Sequence, residues 1–171
     1  MGLLSPFLQR QRIAQAVPHI QGTVLDFGCG NGALAAHIHP TMYIGYDPNP
    51  KALAAAQDAW PRHTFTEQIP DGRYDTIAAL AVLEHLDDAE ADVKALASMT
   101  GRIVATTPHP KYEWVHDMTA HIGLASIEAN HEHTELLDEP KLRQIGDAAG
   151  LETVLYKRFL WGMNQLVIWR T

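Results

Sequence analysis

Asp26, Gly28, Gly30 and Gly32 stand at alternate positions in VLDFGCGNG, and a second acid, Asp47, follows in YIGYDPNP. Glycines so spaced let a chain bend tightly and bring its backbone against a ligand with no Cβ in the way. A second set of residues carries imidazole and carboxylate chemistry. Glu84 and His85 lie in ALAVLEHLDD, and His131 and His133 flank Glu132 in NHEHTELL. Histidine, with an unperturbed pKa of about 6.5, is the usual base for a hydroxyl or phenol. On an extended segment His131 and His133 point the same way, and with Glu84 and His85 they form a set that also suits a divalent transition ion. His109, His116 and His121 share a stretch with Tyr112 and Trp114, which reads as an aromatic-lined lid or as ordinary loop packing. Cys29, the single cysteine, is a small residue that fits the glycine turn; His19, His37, His39 and His63 read as surface.

These residues need elements to hold them. Thr23 to Leu25 reads as a strand ending at Asp26, Met42 to Tyr46 as a second ending at Asp47, and Ala33 to His39 between them as a short helix. Asn49 and Pro50 start a helix that Pro61 stops. His63 to Thr66 is a short strand, and the apolar run Tyr74 to Val82 reads as a central parallel strand. Asp87, Asp88 and Glu90 open a helix with Val93, Leu96 and Met99 on its buried side, and Arg102 to Thr107 follows as the fifth strand. Asp138 caps a last helix, and Leu151 to Phe159 with Gln165 to Trp169 form a terminal antiparallel hairpin around Gly162. Ahead of all this, Ser5 and Pro6 open a helix with Leu8, Ile13, Ala16 and Val17 as its apolar stripe. The expected fold is α/β: a Rossmann-like three-layer sandwich with a seven-stranded, mostly parallel sheet and an antiparallel C-terminal hairpin. Residues 1–171 read as one domain, with 1–20 as the N-terminal helix and 109–133 as a substrate lid.

Two ligand classes fit the glycine turn. Gly28, Gly30 and Ala33 satisfy the GxGxxA spacing of dinucleotide-binding proteins, with an acid after the second strand. Against that stand Asp26 two places before the first glycine, the extra Gly32, the terminal hairpin and the lack of a substrate domain. The combination VLDFGCGNG with Asp47 resembles the S-adenosylmethionine (SAM) site of class I methyltransferases, and several blocks are similar to ubiquinone and small-metabolite methyltransferases. The resemblance implies that Asp26, Gly28 and Gly30 meet the methionine part of SAM, with Phe27 and Cys29 of the same turn also binding the cofactor, and that Asp47 accepts both ribose hydroxyls. It further implies that Pro48 lies on the adenine face, that Glu67 or Gln68 sits near the adenine edge, and that backbone at Leu80, Ala81 and Val82 contacts the methionine part. The loop 64–71 is short and lacks the Gly-Asp usual in relatives. The "vLEH" block puts His85 toward the acceptor, with His131 or His133 orienting or deprotonating it.

The implied enzyme transfers a methyl group from SAM to a small molecule, leaving S-adenosylhomocysteine (SAH). One alternative is a metal-assisted RNA 3'-terminal 2'-O-methyltransferase of the Hen1 type, whose Glu-x-x-Glu-His block Ala81-Val82-Leu83-Glu84-His85 resembles without its first glutamate; another is a SAM-binding protein without turnover. No metal is assigned. The 171 residues carry a formal charge of −7, which repels phosphate backbones, and Arg10 with Arg12 is the only close basic pair near the N-terminus. A composition of 46% hydrophobic and 19% charged residues is ordinary for a globular domain. No apolar run approaches the roughly 20 residues a membrane span needs, so membrane insertion is not expected and a cytoplasmic protein is. Trp161, Met163, Asn164 and Gln165 at the hairpin turn read as contacts to substrate or to a partner subunit, the two amides equally as caps of the turn. Oligomeric state, acceptor and acceptor atom stay open.

Overall fold

A computed structural model describes residues 4–112 and 137–171. Within them seven strands form one sheet: β1 (Val24–Phe27), β2 (Tyr43–Tyr46), β3 (Thr64–Thr66), β4 (Thr76–Leu80), β5 (Arg102–Pro108), β6 (Glu152–Phe159) and β7 (Asn164–Arg170). Their order is β3-β2-β1-β4-β5-β7-β6, with the first five parallel and β7 antiparallel to both β5 and β6. The terminal hairpin is therefore present, with its second strand inserted beside β5. The chain leaves β1 toward β2 on one side and returns to β4 on the other, which opens a crevice at the carboxyl ends of β1 and β4.

All four residues of β1 are buried, because both sheet faces are covered. Alternation sends Leu25, Ile77, Ile103 and Trp169 to one face, under α3 (Ala89–Ala97) and α4 (Glu139–Ala148), whose Val93, Leu96, Leu142 and Ile145 complete the larger core. Val24, Ala78, Val104 and Ile168 face the other way, under Ile13 and Ala16 of α1 (Leu4–Ala16). Gly146 lets α4 lie against the Trp169 indole, where a Cβ would overlap the ring.

Local chemistry sets most helix starts. Asn49 accepts from the N–H groups of Lys51 and Ala52 to open α2 (Pro50–Ala59), while Asp88 and Asp138 cap α3 and α4 through the N–H of Ala91 and Lys141. Helix α1 already includes Leu4, the first described residue, so Ser5 and Pro6 lie within the helix rather than at its boundary. The helix expected over Ala33 to His39 is a short 3-10 turn, Ala33–His37, entered from the left-handed Gly32 and closed before Pro40. The strand expected over Tyr74 to Val82 is shorter at both ends. Tyr74 makes only an isolated bridge to Thr100, and Ala81 leaves the strand at φ 60° while its N–H donates to the Thr106 carbonyl at 2.7 Å. No helix among the described residues is long and apolar enough to cross a membrane.

Candidate functional site

The glycine turn is held from below by β2. The N–H groups of Gly28 and Cys29 both donate to the Tyr46 carbonyl, each at 2.8 Å. Gly28, Gly30 and Gly32 all sit in the left-handed region, at φ 73°, 53° and 71°, which accounts for their alternation. Beyond that shared backbone, the three glycines meet different surroundings. A Cβ at Gly28 would stand 2.5 Å from Cγ2 of Val82, whereas a Cβ at Gly30 would meet nothing within 4 Å among the described residues. Gly28 is thus required by packing against the segment after β4, and Gly30 faces open space.

Asp47, at the end of β2, locks this turn. Its Oδ2 accepts the Gly30 N–H at 2.8 Å and its Oδ1 accepts the Asn49 N–H at 2.9 Å. Asp26 is only 3% exposed, and its Oδ2 accepts the Tyr43 hydroxyl at 2.7 Å. Burial pushes the Asp26 carboxyl up to about 7; the Tyr43 hydrogen bond opposes that rise and the neighbouring Asp47 charge adds to it. Burial, with the charges of Asp26 and Asp47, raises the Cys29 thiol as well, so Cys29 stays protonated and inert.

A cavity of about 630 Å³ opens over the turn, walled by Arg12, Asp26, Gly28, Gly30, Leu80 and Ala81, with Lys51 of α2 also in its lining. Helix α1 roofs it. Gln9 donates to the Asn31 side chain at 3.0 Å, and one turn later Arg12 Nε donates to Asn164 Oδ1 at 2.8 Å. Burial lowers the Arg12 pKa and the Glu84 charge holds it up; an arginine stays a cation under such a balance.

The expected site residues fall into three groups. Asp26, Gly28, Cys29, Gly30, Leu80 and Ala81 wall the cavity, with Asp47 bonded behind Gly30 and Val82 packed on Gly28. Phe27 belongs with them by backbone only, since its ring lies in the core 5.2 Å from that of Tyr46. Pro48, Glu67 and Gln68 are on loops after β2 and β3; the Thr66 carbonyl accepts the Asp47 N–H and joins the two loops. His85 ends the 3-10 turn Leu83–His85 with its side chain exposed, and Glu84 beside it acts on Arg12 through its charge. His131 and His133, and all of the proposed lid beyond Tyr112, lie outside the described residues. His109 does not: its N–H donates to the Met163 carbonyl at 2.8 Å, and burial with the Arg158 charge lowers its pKa against a smaller opposing pull from Asp138. Among the described residues no three histidine, cysteine or acidic side chains cluster as metal ligands.

Neither hairpin amide caps the turn. Asn164 takes the Arg12 bond, and Gln165 donates to Thr107 Oγ1 and to the carbonyls of Pro108 and Leu137 while accepting the Tyr156 hydroxyl. Sequence reasoning assigned no role at the site to Arg12 or Tyr43. The signal for Arg12 was present: it and Gln9 are three residues apart, a polar stripe beside the apolar one on α1.

Residues 5–156 match the family of methyltransferase domains. No curated protein matches the chain in sequence. Among solved structures, the fold is similar to magnesium protoporphyrin IX methyltransferase (ChlM) from Synechocystis PCC 6803 with bound SAH, at TM-score 0.74 and 20% identity over 100% of this chain and 88% of that one. It is similar also to the methyltransferase domain of bacterial CtHen1-C, at TM-score 0.72 and 17% identity over 95% and 98% of the two chains. A third is a SAM-dependent methyltransferase from Clostridium acetobutylicum ATCC 824, at TM-score 0.71 and 9% identity over 96% and 91%.

Proposed function

The chain belongs to the methyltransferase domain family, and on that premise we propose that it transfers a methyl group from SAM to a small-molecule acceptor. The observation that carries the donor is the three-glycine turn, locked by Asp47 and facing a cavity of about 630 Å³, within the range that holds a cofactor-sized ligand. The residues present fit SAM chemically. Open space at Gly30 admits close backbone approach, and the buried Asp26 carboxylate is a negative charge that a cationic ligand would relieve. Arg12 is a cation on the same wall for the α-carboxylate, and the lone pairs Asp47 does not give to Gly30 and Asn49 suit two ribose hydroxyls.

SAM supplies a methyl group already activated by its sulfonium sulfur. The chain's work is therefore alignment, and a base is needed only where the acceptor must lose a proton. In this reading Pro48 covers the adenine, Glu67 or Gln68 meets its edge, and His85, with His131 or His133, orients or deprotonates the acceptor. The net charge of −7 supports a small molecule over a nucleic acid.

The test has two arms. Calorimetry should detect binding of SAM and SAH, while NAD should give no thermal shift; a shift with NAD alone would end the reading. Incubation of labelled SAM with metabolite pools should give a methylated small product whose formation survives chelation. Loss of turnover on chelation, with methylation of RNA ends, would point to the metal-assisted RNA enzyme instead.

A further inference from the structure

We infer that Asn164 is a positioning residue for the donor site: through its amide oxygen, the C-terminal hairpin holds Arg12 in place to take the donor's α-carboxylate. The inference rests on the donor reading above. Arg12 and Asn164 are 152 residues apart in the chain and meet where the start of β7 reaches the carboxyl edge of the sheet, beside the end of β5. Asn164 is completely buried. Guanidinium groups only donate, so the Nε–H to Oδ1 bond at 2.8 Å fixes which way the amide faces. That choice carries a cost, because it leaves Asn164 Nδ2 buried without a hydrogen-bond partner among the described residues. A residue placed only to fill the core would be apolar here, as Leu166 and Ile168 are on the same face of the same strand.

The bond occupies Nε, the edge of the guanidinium nearest the side-chain stem, and constrains the plane in which the two terminal nitrogens lie. Those nitrogens are the fork that matches a carboxylate. Arg12 also walls the cavity beside Gly28 and Gly30, where the methionine part of the donor belongs. A long side chain anchored at Nε loses less rotamer freedom on binding than one that must be ordered from solution. Asn164 thus prepares Arg12 before the ligand arrives and never touches the ligand itself.

The experiment compares SAH with 5'-methylthioadenosine, which has the same nucleoside but no amino-acid part. Asn164→Ala should weaken SAH by about tenfold, equivalent to about 1.4 kcal/mol, and leave 5'-methylthioadenosine unchanged. Arg12→Ala should show the same selectivity with a larger loss, and adding Asn164→Ala to it should cost nothing more. Equal weakening of both ligands by Asn164→Ala would mean a merely structural role, and no weakening of either would remove the role altogether; both overturn the inference. If Arg12→Ala leaves SAH untouched, the carboxylate assignment fails instead. Should Asn164→Ala not fold, Asn164→Ser, which shortens the side chain and withdraws the oxygen from Nε, carries the same comparison.

Discussion

Replacing Asp26 by asparagine is expected to stabilise the ligand-free fold above neutral pH while it damages donor binding. The carboxyl ionises at about 7 in the fold, against 3.8 for the ordinary group, with burial as the main cause. Folding therefore retains a proton that the unfolded chain releases from about pH 4 upward. The stabilising contribution of this group is full below about pH 4, falls by about 1.4 kcal/mol per pH unit up to about 7, and is absent above that. Relative to a neutral side chain, the ionised carboxylate costs about 4 kcal/mol at pH 8.5. Asparagine has the same shape, keeps an oxygen for the Tyr43 hydroxyl and turns its amide nitrogen to the cavity side. The gain of about 4 kcal/mol corresponds to about 8–16 °C in Tm for a chain of this size. Thermal unfolding of the parent and the Asp26→Asn variant at pH 8.5 and pH 5 measures it, with the gap expected to shrink below about 2 kcal/mol at pH 5. A variant less stable than the parent at pH 8.5, or a gap indifferent to pH, refutes the reasoning.

The same carboxyl makes donor affinity depend on pH. SAM should bind more tightly as pH rises from about 6 to 8, because Asp26 becomes an anion over that interval, and SAH, which lacks the sulfonium charge, should respond less; calorimetry that finds equal slopes for the two contradicts this. Asp47→Ala should weaken SAH by roughly a hundredfold, the value of about two charge-assisted hydrogen bonds, and a loss below about fivefold would remove Asp47 from the ribose site. The two nearby glycines should fail differently. Gly30→Ala should leave Tm within a few degrees and abolish SAH binding, since its Cβ projects into open space, whereas Gly28→Ala should cost about 3 kcal/mol of stability through Val82 and its left-handed φ; matched Tm losses would show that the turn answers as one unit.

Element order was legible because its determinants are local. Asn49, Asp88 and Asp138 announce their helices from within a few residues, and the apolar runs at Val24 and Ile77 need no partner to read as buried strands. The glycine turn and Asp47 were legible for the same reason: backbone conformation restricts which residues can stand there. What failed depends on distant neighbours. Ala81 looks like a further strand residue, yet it stands at φ 60° with its N–H on the Thr106 carbonyl, where Val82 closes over Gly28. Tyr43 reads as an ordinary strand residue until β1 and β2 pair side by side and its hydroxyl reaches Asp26. Arg12 and Asn164 bear no mark of each other in the sequence. For His131 and His133 the described residues provide no comparison.

Gly45, on β2, has an ordinary φ and so no conformational need to be glycine. A Cβ there would stand 2.7 Å from the Phe65 ring and 2.9 Å from Cys29 Sγ. Positions 29, 45 and 65 therefore share one volume, and substitutions among them are tied. The thiol can be exchanged for a smaller group alone, but a side chain at 45 needs room made at both 29 and 65. The sulfur in the glycine turn is thus fixed by the volume it shares with β2 and β3, a packing element and not an exposed thiol.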